Sequence, residues 1–172
     1  MAKHGFAGLT YRAVAAEAGV THGLVSYHFG SLDAMITEAL ALAADEAIRD
    51  SQMAVSFGEL SAFADRISTL VSEQSEAQTY QYELTFEARR RPELASQVRA
   101  LYENYYEVTE QSLTALGISR DRALTRLVFA ALDGLVLQQL IFGEAHSTDA
   151  SIERLRELLA LLAESDRGAE PS

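Results

Sequence analysis

The run ALTRLVFAALDGLVLQQLIFG, residues 123 to 143, limits the possible folds more than any other stretch of this chain. Its spacing predicts one helix over about 120–142. Leu124, Leu127, Val128, Ala131, Leu132, Leu135, Val136, Leu137, Leu140 and Ile141 put apolar side chains on nearly every side of that helix. Arg126, Asp133, Gln138 and Gln139 interrupt the run, so it falls short of the roughly 18 uncharged apolar residues of a membrane span. A buried helix is expected instead, with cover on two faces. The rest of the chain can cover one face. A second copy can cover the other, as an isologous four-helix interface, and an internal helix of a monomer is the alternative.

The stretch that follows supports the dimer. Over 149–165, Ile152, Leu155, Leu158, Leu159 and Leu162 form one apolar stripe at helical spacing. The interface expected from the two helices uses Leu124, Val128, Leu135 and Gln139 from the first and Leu155, Leu159 and Leu162 from the second.

The rest of the chain has the same character. It holds only two prolines, Pro92 and Pro171, and no period-2 alternation of β-branched residues, so an all-α fold is expected. Thr10 can cap a helix running to Ala18, which Gly19 ends. Thr21 can cap a second that ends near Gly30. Ser31, with Asp33 in the first turn, can cap a third running to about residue 52. Further helices are expected over 59–74, 76–91, 93–116 (after Pro92 and before Gly117), 120–142 and 149–165.

Charge separates the chain into two parts. Residues 1–32 hold Lys3 and Arg12 against Glu17 alone and carry three of the four histidines, whereas residues 33–172 hold 12 basic and 24 acidic side chains. The net charge of −11 argues against nucleic acid for the chain taken whole, but not for its first part. There is no cysteine, which excludes disulfides, thiolate metal sites and thiol catalysis and makes a reducing cytoplasm the expected location. The N-terminus has no apolar core of signal-peptide length, and no membrane partner is expected. The expected organisation is a head at 1–48, a body at 49–166 and a frayed tail at 167–172.

The segment AGVTHGLVSYHF, residues 18–29, gives the head its chemistry. Two short helices around Gly19, with Val14, Ala15, Ala18, Val20 and Val25 directed into a small core, have the pattern of a helix-turn-helix. The second helix then opens with Thr21, His22 and Gly23, where backbone N–H groups and the helix dipole favour phosphate and small or polar side chains can enter a major groove. Tyr27 and His28 follow one turn later and can donate to phosphates. A plain helical hairpin, with Tyr27 and His28 as filler, would use the same spacing.

The longer run LTYRAVAAEAGVTHGLVSYHFGSLDAM, residues 9–35, resembles the DNA-binding head of the TetR family of transcriptional regulators, and the length and layout of the chain resemble that family as well. The resemblance implies a helical ligand-binding and dimerisation body, double-stranded operator DNA, a small-molecule effector and a second copy of the chain as partners, and no cofactor. It implies that Thr10 bonds a phosphate, that Arg12, Thr21, His22 and Gly23 lie at the groove, and that Tyr27 and His28 grip phosphates. It also implies repression relieved by the effector, through a tilt of the third helix that changes the separation of the two heads. Three features depart from the family pattern. Ser26 stands where the family usually has tyrosine, with Tyr27 as the nearest aromatic hydroxyl. Leu32 stands where a Lys or Arg usually meets a phosphate, which implies lower affinity and a shallower salt slope. Only AKHGFAG precedes the motif in place of a full helix, so either the true start lies upstream or the head lacks a supporting helix.

In the body, Tyr102, Tyr105 and Tyr106 share one helix face, which Thr109 continues, and Glu83 and Glu87 share another with Tyr80, near Phe86. Tyrosine hydroxyls beside carboxylates can line a small-molecule pocket between helices, joined here by Phe129 and Asp133, although tyrosines with wet tips also serve as ordinary packing. Two other functions remain open. One is a helical dimer that binds a ligand or protein and has lost DNA binding. The other is an enzyme, and it has little support. His22 and His28 lie six apart, about 240° around a helix, and cannot share a metal as an i, i+4 pair. No phosphate loop, nucleophile elbow or metal motif is present, so no catalytic or metal-binding residue is expected.

Overall fold

The computed structural model describes residues 10–50, 60–118 and 121–169. Their regular elements are all helical: α1 (Tyr11–Ala18), α2 (His22–Phe29), α3 (Leu32–Asp50), a 3-10 turn (Leu60–Ala62), α4 (Ile67–Glu73), α5 (Ser75–Glu87), α6 (Pro92–Ala115), α7 (Arg122–Phe142) and α8 (Ala145–Ala169). The stretch AKHGFAG and the last three residues lie outside the described residues. Of the expected frayed tail, 167–169 complete α8, and the Arg167 Nε donates to the Ala163 carbonyl at 3.1 Å.

In the head the helix ends follow from the residues expected to set them, and Asp121 caps α7 as well. The Thr10 hydroxyl accepts from the Ala13 amide at 3.1 Å, and that of Thr21 from Leu24 at 3.3 Å. The Ser31 hydroxyl accepts from Ala34 at 3.0 Å, and the Asp121 carboxylate from Ala123 at 2.8 Å. Gly19 closes α1 with φ 67°, a left-handed backbone that glycine adopts without the Cβ penalty.

The chain divides into two compact units, each drawn from separated stretches. The first joins the chain up to Ala44 with Glu76–Leu101; the second joins Asp45–Ser75 with the chain from Tyr102 onward. The head therefore shares its unit with α5 and the start of α6, a grouping that differs from a simple boundary near residue 48.

In the first unit, Ala15, Val25 and Met35 form the buried centre of the head, with Tyr11, Val14, Phe29 and Leu32 packed around it. Two residues expected in this core are not in it. Val20 is 40% exposed, and Ala18 is also exposed. Met35, from the first turn of α3, is buried where they are not.

In the second unit, α7 packs against α4 and α8, and α8 also packs against α4 and the 3-10 turn. Phe63, Ile67, Val128, Leu132, Ile152 and Leu159 are buried there. Gln139 sits in this core: its Nε2 donates to the Ser68 carbonyl at 2.7 Å and to the Ser72 hydroxyl at 3.1 Å.

Several helix boundaries differ from expectation: α5 ends at Glu87 rather than 91, α8 runs on to Ala169 rather than 165, and two further differences have a hydrogen-bonding reason. The helix expected over 59–74 is broken, because buried Ala64 takes φ 60°. The Ile67 amide then bonds the Ala64 carbonyl, three residues back, and the Phe63 carbonyl accepts instead from the Arg156 Nε at 2.9 Å. Arg156 also binds Asp65 at 3.1 Å and Glu153 at 3.0 Å. The last helix starts at Ala145 rather than 149, since the Glu144 carbonyl already accepts from the Ser147 and Thr148 amides and Thr148 is buried.

The apolar faces of α7 and α8 also fall differently. Val128, Gln139 and Leu159, expected at a dimer interface, are buried inside the subunit, which corrects their assignment. Leu124, Leu135 and Leu155 are half-buried. Leu162 is exposed, together with Leu127, Ile141, Phe142, Leu158 and Leu161. The outward face is thus turned by about one residue, or ~100° of helix, from the expected one. A helix apolar all round carries no phase in its sequence, so packing against α4 and α8 decides which side stays outside.

Candidate nucleic-acid interface

α1 and α2 are packed by their inner faces, and this leaves the polar residues of the motif outside. Val25 is the one deeply buried residue of α2. Thr21, His22, Gly23, Tyr27 and His28 are all exposed, and Tyr27 is 88% so. Thr10 and Arg12, at the start of α1, are exposed as well. The structure therefore brings every DNA-contact residue expected in the head to solvent on two adjoining short helices.

Each of these groups is held in a particular way. The Thr10 and Thr21 hydroxyls accept a backbone amide as helix caps, so each keeps its O–H free to donate outward. The His22 ring meets Tyr11 edge-on, with centroids 5.9 Å apart, and the His28 ring meets Phe29 in the same way at 4.7 Å. A Cβ added at Gly23 would meet nothing within 4 Å, so no packing inside the subunit requires glycine there. The Ser26 hydroxyl turns back onto the Gly23 carbonyl at 3.4 Å and does not replace an aromatic hydroxyl. Leu32 packs against the head core, so the position that lacks a cation does structural work instead. Tyr11 is the residue that the sequence did not single out; its place one residue after the Thr10 cap was the available signal.

The residues expected to form a pocket fall into the two units. In the second, Tyr105 stacks on Phe129 at 5.1 Å, while Tyr102 and Tyr106 approach the same ring edge-on at 5.7 and 5.3 Å. The Arg126 guanidinium lies 5.2 Å over Tyr106. The buried Thr109 hydroxyl donates to the Tyr105 carbonyl at 2.8 Å, and Asp133 is half-buried. These aromatic rings pack on one another. In the first unit Glu83 is exposed, and so is Phe86 at 60%. Tyr80 is half-buried, and burial, followed by the Glu83 carboxylate, pushes its phenol above the usual tyrosine value.

Tyr80 also lines a cavity of about 460 Å³ in the first unit. Its wall is made by Val14, Glu17 and Ala18 of α1, Phe29 of α2, the start of α3 and one face of α5. This is why Ala18 and Val14 are not fully covered: they face the cavity.

Comparison with known proteins agrees with this geometry. Residues 1–39 match the model of bacterial regulatory proteins of the tetR family, and residues 58–165 match that of the tetracyclin repressor-like C-terminal domain. A TetR family member from Streptomyces coelicolor A3 has a similar structure, with a TM-score of 0.71 and 28% identity over 94% of this chain and 90% of that one. The multidrug binding protein EbrR, solved in complex with proflavin, is similar with a TM-score of 0.62 and 28% identity over 94% of this chain and 91% of that one. No curated protein matches. With both halves of the chain matched and the motif helices in place, this protein belongs to the TetR family of regulators.

Proposed function

We propose that the chain is a cytoplasmic homodimeric repressor that binds operator DNA through α2 and is released by a small organic effector. The observation that carries the DNA part is the outward face of α2, where Thr21, His22, Gly23, Tyr27 and His28 are exposed and only Val25 is buried deeply. Thr21, His22 and Gly23 would read base edges, and Tyr27 and His28 would hold phosphates. Thr10 and Arg12 would fix the start of α1 on the backbone of the duplex.

The dimer rests on the uncovered apolar residues of α7 and α8. Leu127, Ile141, Phe142, Leu158, Leu161 and Leu162 leave apolar surface on two helices, which a second copy can cover by isologous packing. Such a dimer would present two heads to half-sites about 34–36 Å apart on one face of the duplex. α3 is continuous from the head into the second unit, so an effector that favours another head separation would lower DNA affinity by linkage. EbrR in complex with proflavin supports a small organic molecule as effector.

Fluorescence anisotropy with cognate and scrambled duplexes at two salt concentrations tests this function. Tyr27→Phe and His28→Ala should weaken both duplexes alike, since phosphate contacts carry no sequence information. His22→Ala should cost about 1–3 kcal/mol on the cognate duplex and little on the scrambled one. Leu32 supports the second function, a ligand-binding dimer without DNA affinity, because it spends on the head core a position that could hold a cation. Absence of any shift with the promoter region of the chain's own gene would favour that second function.

A further inference from the structure

Residues 88–101 are the most basic stretch of an acidic chain. Four arginines, Arg89, Arg90, Arg91 and Arg99, stand there against Glu93 alone, a balance of +3 where the whole chain carries −11. The stretch covers the turn after α5 and the start of α6. At the turn, the Arg91 Nε binds the Glu87 carboxylate at 2.9 Å. The Arg90 Nη1 reaches the same carboxylate only at 3.4 Å, and the Arg90 side chain stays 81% exposed. Arg89 is exposed as well. Arg91 thus holds Glu87, while the two arginines before it face water.

This turn belongs to the same compact unit as the head. The chain crosses the boundary of that unit after Ala44, before Glu76 and after Leu101. From those crossings α3, α5 and the start of α6 run about 18, 16 and 14 Å into the unit. The head stands at the inner end of α3, and the arginine turn joins the inner ends of α5 and α6. Tyr80 and Leu84 of α5 line one space with Val14 and Ala18 of α1 and Ile36 of α3, so α5 runs alongside both. Head and turn therefore share one end of the unit.

The head itself is short of fixed charge. Among the residues proposed to meet DNA, Arg12 alone carries a permanent positive charge, and Leu32 supplies none. Sequence-independent affinity for a duplex comes almost wholly from cations that displace counterions from phosphates. We propose that Arg89 and Arg90 form a second phosphate contact on the duplex, outside the groove entered by α2. Guanidinium N–H groups match phosphate oxygens in geometry and charge. An anionic membrane surface fits the turn less well, because Phe86 is the one exposed large apolar side chain among the described residues of 75–101. The contact rests on the DNA-binding function proposed above and supplies the charge that its head lacks.

Fluorescence anisotropy of the full chain with cognate and scrambled duplexes, from low to high salt, tests the contact. Each arginine that meets a phosphate steepens the fall of log affinity with log salt by about 0.9. Arg89→Gln with Arg90→Gln should therefore make that slope shallower by about 1.8 per protomer, for both duplexes alike. Arg89→Lys with Arg90→Lys should keep most of the slope, since a point charge also displaces counterions. Arg122→Gln with Arg154→Gln removes the same charge from exposed sites of the second unit and should leave the slope as it is. Thermal melting of all three pairs checks that the fold is retained. An unchanged slope in the glutamine pair at 89 and 90, with cognate binding intact, overturns the second contact and leaves the DNA-binding function standing. An equal loss of slope in the pair at 122 and 154 overturns it too, because net charge alone would then be at work. A chain that shifts neither duplex overturns both. Binding to phosphatidylserine vesicles that the pair at 89 and 90 abolishes, beside an unchanged DNA slope, would assign the turn to a membrane instead.

Discussion

The edge of Tyr11, the first residue of α1, meets the ring of His22, the first residue of α2, at 85° with centroids 5.9 Å apart. One end of the supporting helix thus orients the side chain at the N-terminus of the recognition helix. Tyr11→Leu keeps an apolar group over the Ala15–Val25–Met35 centre but removes the ring. The expected result is a loss of about 1 kcal/mol of cognate binding, the size of an aromatic pair, with scrambled duplex unaffected. Equal weakening of both duplexes would mean that Tyr11 acts on the phosphates instead.

Gly23 separates stability from function. Its backbone φ is not positive and a Cβ there meets nothing within 4 Å, so Gly23→Ala should stabilise the protein by about 0.5 kcal/mol through helix propensity. The same methyl would stand on the face proposed to enter the groove, and cognate affinity should fall. Gly19→Ala makes the contrast: with φ 67° it should destabilise the head by about 1–2 kcal/mol. Denaturant melts and anisotropy on the same samples measure both effects.

The outward faces of α7 and α8 can be tested against the buried ones. Ile141→Glu and Leu161→Glu put a charge on side chains that are 63% exposed in the subunit. Sedimentation should find folded monomer for both. Leu159→Glu places the charge where 1% of the surface is exposed, and it should cost several kcal/mol and unfold the subunit. If the Ile141 and Leu161 variants remain dimeric at micromolar concentration, the interface lies elsewhere.

Gln139 is bound on one side only. Its Nε2 makes two hydrogen bonds, while its buried Oε1 has no partner among the described residues. Gln139→Met loses the donor but also removes the orphan acceptor, and the Ser68 carbonyl keeps the Ser72 hydroxyl at 2.9 Å. The two effects are of similar size, so the change should stay within about 1 kcal/mol. Gln139→Glu would set an acceptor against the Ser68 carbonyl and a charge in the core, and chemical denaturation should find a loss of several kcal/mol.

Tyr80 sets a pH dependence. Its phenol is pushed above the usual tyrosine range by burial and then by the Glu83 carboxylate. The folded protein therefore prefers the neutral form. The contribution is fully present below the unfolded value and is lost as pH rises through the folded one. Tyr80→Phe should flatten the alkaline limb of stability above the ordinary tyrosine range, about pH 10, and leave the neutral range unchanged. Thermal melting of both proteins across that range measures it; an unchanged limb would mean that Tyr80 ionises as freely in the fold as outside it.

Local chemistry alone decided the helix ends of the head. Thr10, Thr21 and Ser31 each satisfy an amide within three residues, and Gly19 supplies its own left-handed turn, so none of these needs a distant partner. The exposure of Thr21, His22, Tyr27 and His28 follows similarly, because Val25 on the other side of α2 is apolar and they are not. Three features were beyond local reading because each depends on a residue far along the chain. The break at Ala64 exists where Arg156, 93 residues beyond Phe63, takes a carbonyl that a continuous helix would have used. The outward phase of α7 was undetermined by a stretch apolar on every side, and contact with α4 and α8 chose it. The cavity by the head needs alanines at 18, 39 and 77 to face one another, and side chains so far apart in sequence meet only when α5 packs with the head in one unit. Hydrogen bonds within a turn are written in adjacent residues; the choice of which face is covered, and which space is left unfilled, belongs to the packing of separated ones.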